Sequence, residues 1–217
     1  MKKLIIIGGR GNGTVILSTV HDYNKEAFVW DKWEVLGFLN DFETEPINGY
    51  PILGKIDKKT VDKYQDCYFY YALISVKMNH TFLHKLLDLE IPLERMATII
   101  HPTAVISDTA KIGFGVAIQP FVAVNANAVI HNYVQVFAQA LIGHDSILND
   151  YSYVANNACV GANVVLKKGA YLGTNSTTLE NVTIGEWSVV GIGGVVIRDV
   201  PDYTKVAGNP VKLIGKT

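Results

Sequence analysis

An imidazole followed directly by a carboxylate, His144-Asp145, stands in the stretch Leu141-Ile142-Gly143-His144-Asp145-Ser146. Histidine is the side chain best matched to taking a proton near neutral pH, and an adjacent carboxylate can orient the ring or stabilise the imidazolium that forms. The pair reads as a general base with its helper, and on these residues alone an inert surface histidine is the alternative. His131 lies thirteen positions earlier and raises the question of a shared zinc ion. Zinc wants several nitrogen or sulfur ligands; no histidine follows His144, and Tyr153 is a poor substitute. No metal site is expected.

A second cluster lies near the start. An apolar run over residues 4–7 ends in Gly8-Gly9-Arg10-Gly11-Asn12-Gly13, after which residues 14–21 can open a helix. A glycine loop leading into a helix collects backbone N–H groups around one small space and suits phosphate oxygens. Glycines also simply end strands, and the third glycine of the dinucleotide fingerprint is missing. Asn40 and Asp41 close a second strand over residues 35–39. They face the same crevice in the phosphate-binding reading, where they hydrogen-bond a base or ribose, and form an ordinary turn in the other.

The elements that must hold these groups are of two kinds. From Ile106 an aliphatic residue returns at every sixth position through Ile112, Ile118, Val124, Ile130, Val136, Ile142, Leu148, Val154, Val160, Leu166 and Leu172, and on to Val196; only Thr178 breaks the series. Two positions before each sits a compact side chain, from Ala104 through Ala128 and Ser146 to Gly194. A helix repeats near 3.6 and a strand at 2, so a strict six demands short flat segments joined by regular corners, a parallel β-helix. Gly113, Asn125, Gly143, Gly161, Gly173, Gly185 and Gly191 supply turn-tolerant corners. Residues 1–100 carry no such period and read as a small α/β unit, with a third strand over 67–76 and a helix over 79–89. Pro102 marks the boundary to the second domain, 101–217.

Composition narrows the function classes. With 49% hydrophobic residues the 217-residue chain can fill a sizeable core. Lys+Arg 19 against Asp+Glu 20, without a block of like charge, offers no face for nucleic acid or anionic lipid. Cys67 and Cys159 are isolated and read as free thiols in a reducing compartment. Gly8 and Gly9 cut the first apolar run short of a signal sequence, and nothing later is long enough for membrane insertion. A cytoplasmic protein is expected.

On the hexads, residues 104–199 resemble the left-handed β-helix of the hexapeptide-repeat acyltransferases, with three hexads per coil. A purely structural solenoid shares that period. The two domains in this order resemble the sugar acyltransferases grouped with the sialic-acid O-acetyltransferases and the bacillosamine and perosamine N-acetyltransferases. The resemblance implies a Rossmann-like amino-terminal domain for the nucleotide-activated sugar, a solenoid for acetyl-CoA, and a homotrimer with active sites between neighbouring solenoids. It implies His144 and Asp145 as the catalytic pair and direct attack of a sugar amine on the thioester. Gly161 and Ala162 would meet the thioester through backbone N–H groups. Gly173, Gly191 and Gly193 would let pantetheine lie close, and Gly208-Asn209-Pro210 would approach the CoA nucleotide. The sugar nucleotide falls to Gly8, Gly9, Arg10, Gly11, Asn12, Gly13, Asn40 and Asp41. Three departures stand out. Tyr153 occupies the place of a second family histidine and a cofactor contact; Arg10, Asn12 and Thr14 replace residues of a Gly-Ala-Gly-Gly-His-Gly-Lys loop; Asn40 replaces the first of two aspartates. An O-acetyltransferase acting on sialic acid or another sugar hydroxyl, and a non-catalytic sugar-nucleotide-binding solenoid, are the alternatives.

Overall fold

The computed structural model describes residues 1–74 and 79–217. The chain divides into two compact units, Met1–Pro102 and Thr103–Thr217.

The first unit is built on a parallel sheet of β1 (Lys2–Ile7), β2 (Trp33–Leu39), β3 (Ile52–Gly54) and β4 (Tyr68–Tyr71) in the order β3-β2-β1-β4. Leu4, Ile5, Ile6 and Ile7 are wholly buried, as expected of an unbroken aliphatic run at the centre of a parallel sheet. α1 (Asn12–Glu26) follows the glycine loop and buries Ile16, Leu17 and Val20. It is longer than the 14–21 read from sequence because Gly11, at φ 87°, turns the chain into the helix two residues earlier, and because the helix runs on until Ala27 leaves it in extended geometry. β2 begins at Trp33, not residue 35, because the Asn24 side chain brackets Trp33, accepting from its N–H at 2.9 Å and donating to its carbonyl at 2.8 Å. β4 is shorter than the expected 67–76. The Ala72 N–H still reaches Ile7 O at 2.8 Å, but β1 then gives way to the glycine loop and leaves no parallel partner; Ser75 and Val76 lie outside the described residues. α2 (Lys58–Val61) is capped by Asp57, whose carboxylate accepts from Thr60 N–H at 2.7 Å. α3 spans Asn79–Leu87. β3 and α2 escaped the sequence reading because three- and four-residue elements show no period.

The second unit is a left-handed parallel β-helix. Each coil contributes three two-residue strands to three separate parallel sheets, and partners in a ladder are eighteen residues apart, as in Val129↔Ile147, Gln135↔Tyr153 and Leu141↔Cys159. The second residue of each strand points inward: Ile118, Val136, Ile142, Leu148, Val154, Val160, Leu166 and Leu172 are all inaccessible. From Gly115 to Gly193 every sixth residue adopts a positive φ, between 50° and 67°. Gly and Asn hold most of these left-handed positions, but Tyr133, Asp145, Tyr151 and Trp187 hold others. A hairpin of Thr204–Ala207 and Lys212–Lys216 closes the last coil.

Candidate active site

Residues 143–146 form the corner between the strands Leu141–Ile142 and Ile147–Leu148. Asp145 takes the left-handed conformation here, φ 58°, and its N–H bonds Ala126 O of the preceding coil at 3.0 Å. That conformation carries its side chain beside the preceding residue. His144 Nδ1 lies 2.6 Å from Asp145 Oδ2, while Asn127 Nδ2, one coil away, donates to Asp145 Oδ1 at 3.0 Å. The bond from His144, then that from Asn127, hold the Asp145 pKa below the ordinary carboxylate value. An ionised acceptor at Nδ1 keeps the proton on that nitrogen and leaves Nε2 as the lone-pair side of the ring. The ring is 56% exposed, and Nε2 has no partner among the described residues.

Gly161 and Ala162 stand one coil further along the same corner. The Gly161 N–H does not take the place expected for it: it donates to Thr178 Oγ1 at 2.9 Å, within the protein. The Ala162 N–H has no acceptor among the described residues. Of the two expected donors, Gly161 and Ala162, only the Ala162 N–H is open among the described residues.

The other expected cofactor contacts lie elsewhere on the coil. Gly173 and Gly191 follow the strands Tyr171–Leu172 and Val189–Val190 at a different corner. A Cβ on Gly173 would sit 2.7 Å from Val190 O, so glycine is what lets successive coils approach there. Gly193, at φ 65°, has open space around it. Gly208, Asn209 and Pro210 form the turn of the closing hairpin, and Gly208 O accepts from Val195 N–H at 3.0 Å. Tyr153 is on the strand opposite the His144 corner and stacks between Phe137 and Tyr171, with ring centroids at 4.7 and 4.6 Å. Burial pushes its hydroxyl pKa well up. Tyr153 is therefore a neutral hydrogen-bonding group at physiological pH and does not replace a titrating histidine. Within one protomer it does not meet His144.

His131 is at yet another corner, in a polar groove with Asn149, Asp150, Lys167, Lys168 and Glu186. Among the described residues no three His, Cys, Asp or Glu side chains are placed to share a metal ion.

In the first unit Gly8 and Gly11 have φ of 137° and 87°. The first N–H groups of α1 lack a side-chain cap and point toward the loop. Asn40 bolts the ends of β1 and β2 together. It donates to Gly8 O at 3.1 Å and accepts from the N–H groups of Phe42 and Glu43 at 2.8 and 2.9 Å. Asp41 accepts from Ile56 N–H at 2.9 Å and is ion-paired to Lys85. Burial opposes its charge, but these donors outweigh it and keep the pKa low. Both side chains are thus engaged within the protein. Arg10 faces outward with its Nε 3.2 Å from Glu43, and Phe42 projects 94% exposed beside it. Sequence reasoning missed Phe42 and Glu43, whose signal was an aromatic and an acid directly after the strand-ending Asn-Asp.

Two family profiles match the chain: the PglD N-terminal domain over residues 3–81 and the GMPPB C-terminal domain over 95–190. No curated protein matches by sequence. Among solved structures, the acetyltransferase domain of PglB from Neisseria gonorrhoeae FA1090 is 25% identical, with a TM-score of 0.84 over 99% of this chain and 100% of that one. A histidine-to-asparagine variant of perosamine N-acetyltransferase from Caulobacter crescentus, in complex with CoA and GDP-perosamine, is 25% identical with a TM-score of 0.86 over 100% and 98%. WeeI from Acinetobacter baumannii AYE shares the fold at 21% identity, with a TM-score of 0.81 over 99% and 100%. With its glycine-loop unit, its eighteen-residue coils and its histidine corner, the chain is similar over almost its whole length to hexapeptide-repeat sugar acetyltransferases of known structure.

Proposed function

We propose that the protein transfers the acetyl group of acetyl-CoA to the amine of a nucleotide-linked amino-deoxysugar, in the cytoplasm, for surface glycan assembly. The observation that carries this reading is the His144 corner: a base with its Nδ1 side held by an ionised carboxylate, and an open Ala162 N–H one coil away. The amine nitrogen attacks the thioester carbon while His144 Nε2 takes its proton. The carbonyl oxygen gains charge and is met by the Ala162 N–H. Collapse breaks the C–S bond, and the imidazolium returns the proton to the CoA thiolate. Asp145 stabilises that imidazolium and holds the tautomer.

In this reading residues 1–100 bind the sugar nucleotide through the glycine loop and the uncapped start of α1, and residues 101–217 carry acetyl-CoA. The N-acetyltransferase relative bound to CoA and GDP-perosamine, and the PglB domain solved with acetyl coenzyme A, support both ligand classes. The separation of Tyr153 and the 173–193 glycines from His144 within one coil supports a homotrimer in which neighbouring solenoids share each site.

Thiol release from acetyl-CoA, measured against UDP-, dTDP- and GDP-linked 3- and 4-amino-deoxysugars with sialic acid as a hydroxyl acceptor, tests the proposal. Turnover on an amino sugar that collapses in His144→Ala is the expected result. Acetylation of sialic acid alone would reassign the chain to hydroxyl acceptors.

A further inference from the structure

Three features from different parts of the coil converge on Gly161 and the peptide group joining it to Ala162. Its carbonyl accepts a hydrogen bond from the Ser146 hydroxyl at 2.9 Å, and that hydroxyl is fixed from behind by accepting the Val164 N–H at 3.1 Å. The N–H on the other side of Gly161 is taken by Thr178 Oγ1 at 2.9 Å. Gly143 makes the space: a Cβ there would stand 2.4 Å from Gly161 O and 2.7 Å from Ala162 N.

The Ser146 hydroxyl also serves the coil itself, through the Val164 N–H. Ser146 and Thr178 point into the solenoid, 0% and 6% exposed, at positions that Val164 and Leu166 show can be aliphatic. A buried hydroxyl is costly unless hydrogen-bonded. Ser188, at a corner elsewhere, satisfies itself locally by donating to Gly185 O at 2.7 Å, whereas Ser146 reaches across to the next coil. Thr178 is the one break in the aliphatic series. Elsewhere the corresponding N–H bonds a backbone carbonyl, as Gly143 does with Val160 O at 2.9 Å, and at Thr178 the side chain has taken over that role. The strand pairing there is reduced to Cys159↔Thr177.

We propose that Ser146 and Thr178 are positioning residues that aim the Ala162 N–H at the oxygen of the thioester that becomes negative during transfer. The peptide group is planar, so holding the Gly161 oxygen orients the Ala162 N–H on its far side, and holding the Gly161 nitrogen restrains rotation about the intervening Cα. A hydrogen bond to the carbonyl also polarises the amide and makes its N–H a better donor. A donor that needs no rearrangement as charge develops is where such a site gains most. The inference rests on the acetyl-transfer reading above.

The test is steady-state kinetics of the full chain carrying Thr178→Val, Thr178→Ser or Ser146→Ala, each with a thermal unfolding curve. Valine restores the aliphatic series and frees the Gly161 N–H to return to the backbone carbonyl, so folding is preserved or improved. The expected result is a fall in kcat of about tenfold or more, with the KM for acetyl-CoA within about twofold in Thr178→Val and Ser146→Ala, and recovery of most of the rate in Thr178→Ser. Unchanged kcat in both valine and alanine variants overturns the proposal, as does a loss that serine does not restore. Absence of acetyl transfer by the wild-type chain removes the underlying reaction and this inference with it; turnover by the wild type with indifferent variants removes the inference alone.

Discussion

A Cβ built on Gly169 would lie 2.1 Å from Cε3 of Trp187, so the indole of one coil fills the space that the missing side chain of the previous coil leaves open. Both residues are in the left-handed region, φ 67° and 50°, and Trp187 is only 7% exposed despite its place at a corner. Gly169→Ala combines overpacking with left-handed strain. The expected cost is about 2–4 kcal/mol, visible as a lowered midpoint in denaturant with the Trp187 emission shifted red.

The histidine corner makes a graded prediction. His144→Ala removes the proposed base, and a fall in kcat of about 100- to 10,000-fold is expected. Asp145→Asn keeps the shape but presents a neutral amide to Nδ1, so the rate falls less, and most in kcat. Equal KM values for acetyl-CoA across the three proteins would separate this from a loss of cofactor binding.

Acid should act unevenly on the two units. Asp22, Asp31 and Asp66 are held below the ordinary carboxylate pKa by Lys25, Lys2 and Lys3, Asp57 by Thr60, and Asp41 by Lys85 and Ile56 N–H against its burial. In the solenoid the described carboxylates so held are Asp145 and Asp202. A depressed folded-state pKa gives stability that is present above the unfolded value of 3.8 and is lost as pH falls through the folded value. Below pH 3.8 the first unit loses more of its stabilisation than the solenoid does. Trp33, buried in the first unit, should therefore become exposed to quencher at a higher pH than Trp187.

Asn40 and Gly9 give a separate handle on the proposed nucleotide binding. A Cβ on Gly9 would stand 2.2 Å from Asn40 Nδ2, so Gly9→Ala displaces the side chain that ties Gly8 O to the turn at Phe42 and Glu43. Calorimetric titration with UDP, dTDP and GDP should show weakened binding of the preferred nucleotide in Gly9→Ala and in Asn40→Ala. Acetyl-CoA binding should be unchanged in both.

How much of this was legible beforehand depended on how many residues carried each signal. The solenoid was written at every sixth position from Ile106 to Val196, so no single residue could hide it, and Thr178 showed as an anomaly without a reason. Its reason is a hydrogen bond to Gly161, a residue seventeen positions away that only coiling brings near. The His144-Asp145 pair was legible because the two are adjacent; Asn127, which holds the other carboxylate oxygen, was not, since it lies eighteen positions away. Asn40 and Asp41 were read as ligand-facing because they end a strand, yet three backbone N–H groups, one backbone carbonyl and a lysine claim them. Those partners come from the glycine loop, the turn directly after β2, the segment after β3 and α3, at no regular spacing.

The left-handed corner residue at every sixth position sets a rule for change in this chain. Removing or adding six residues between Asn127 and His144 would keep every side chain on its inner or outer face but turn the His144 corner by a third of a revolution about the solenoid axis, out of the column of Asn127 and onto a neighbouring edge. A change of eighteen would translate the same corner by one coil and leave its bearing intact. Length variation within the solenoid ahead of the histidine is therefore quantised in whole coils.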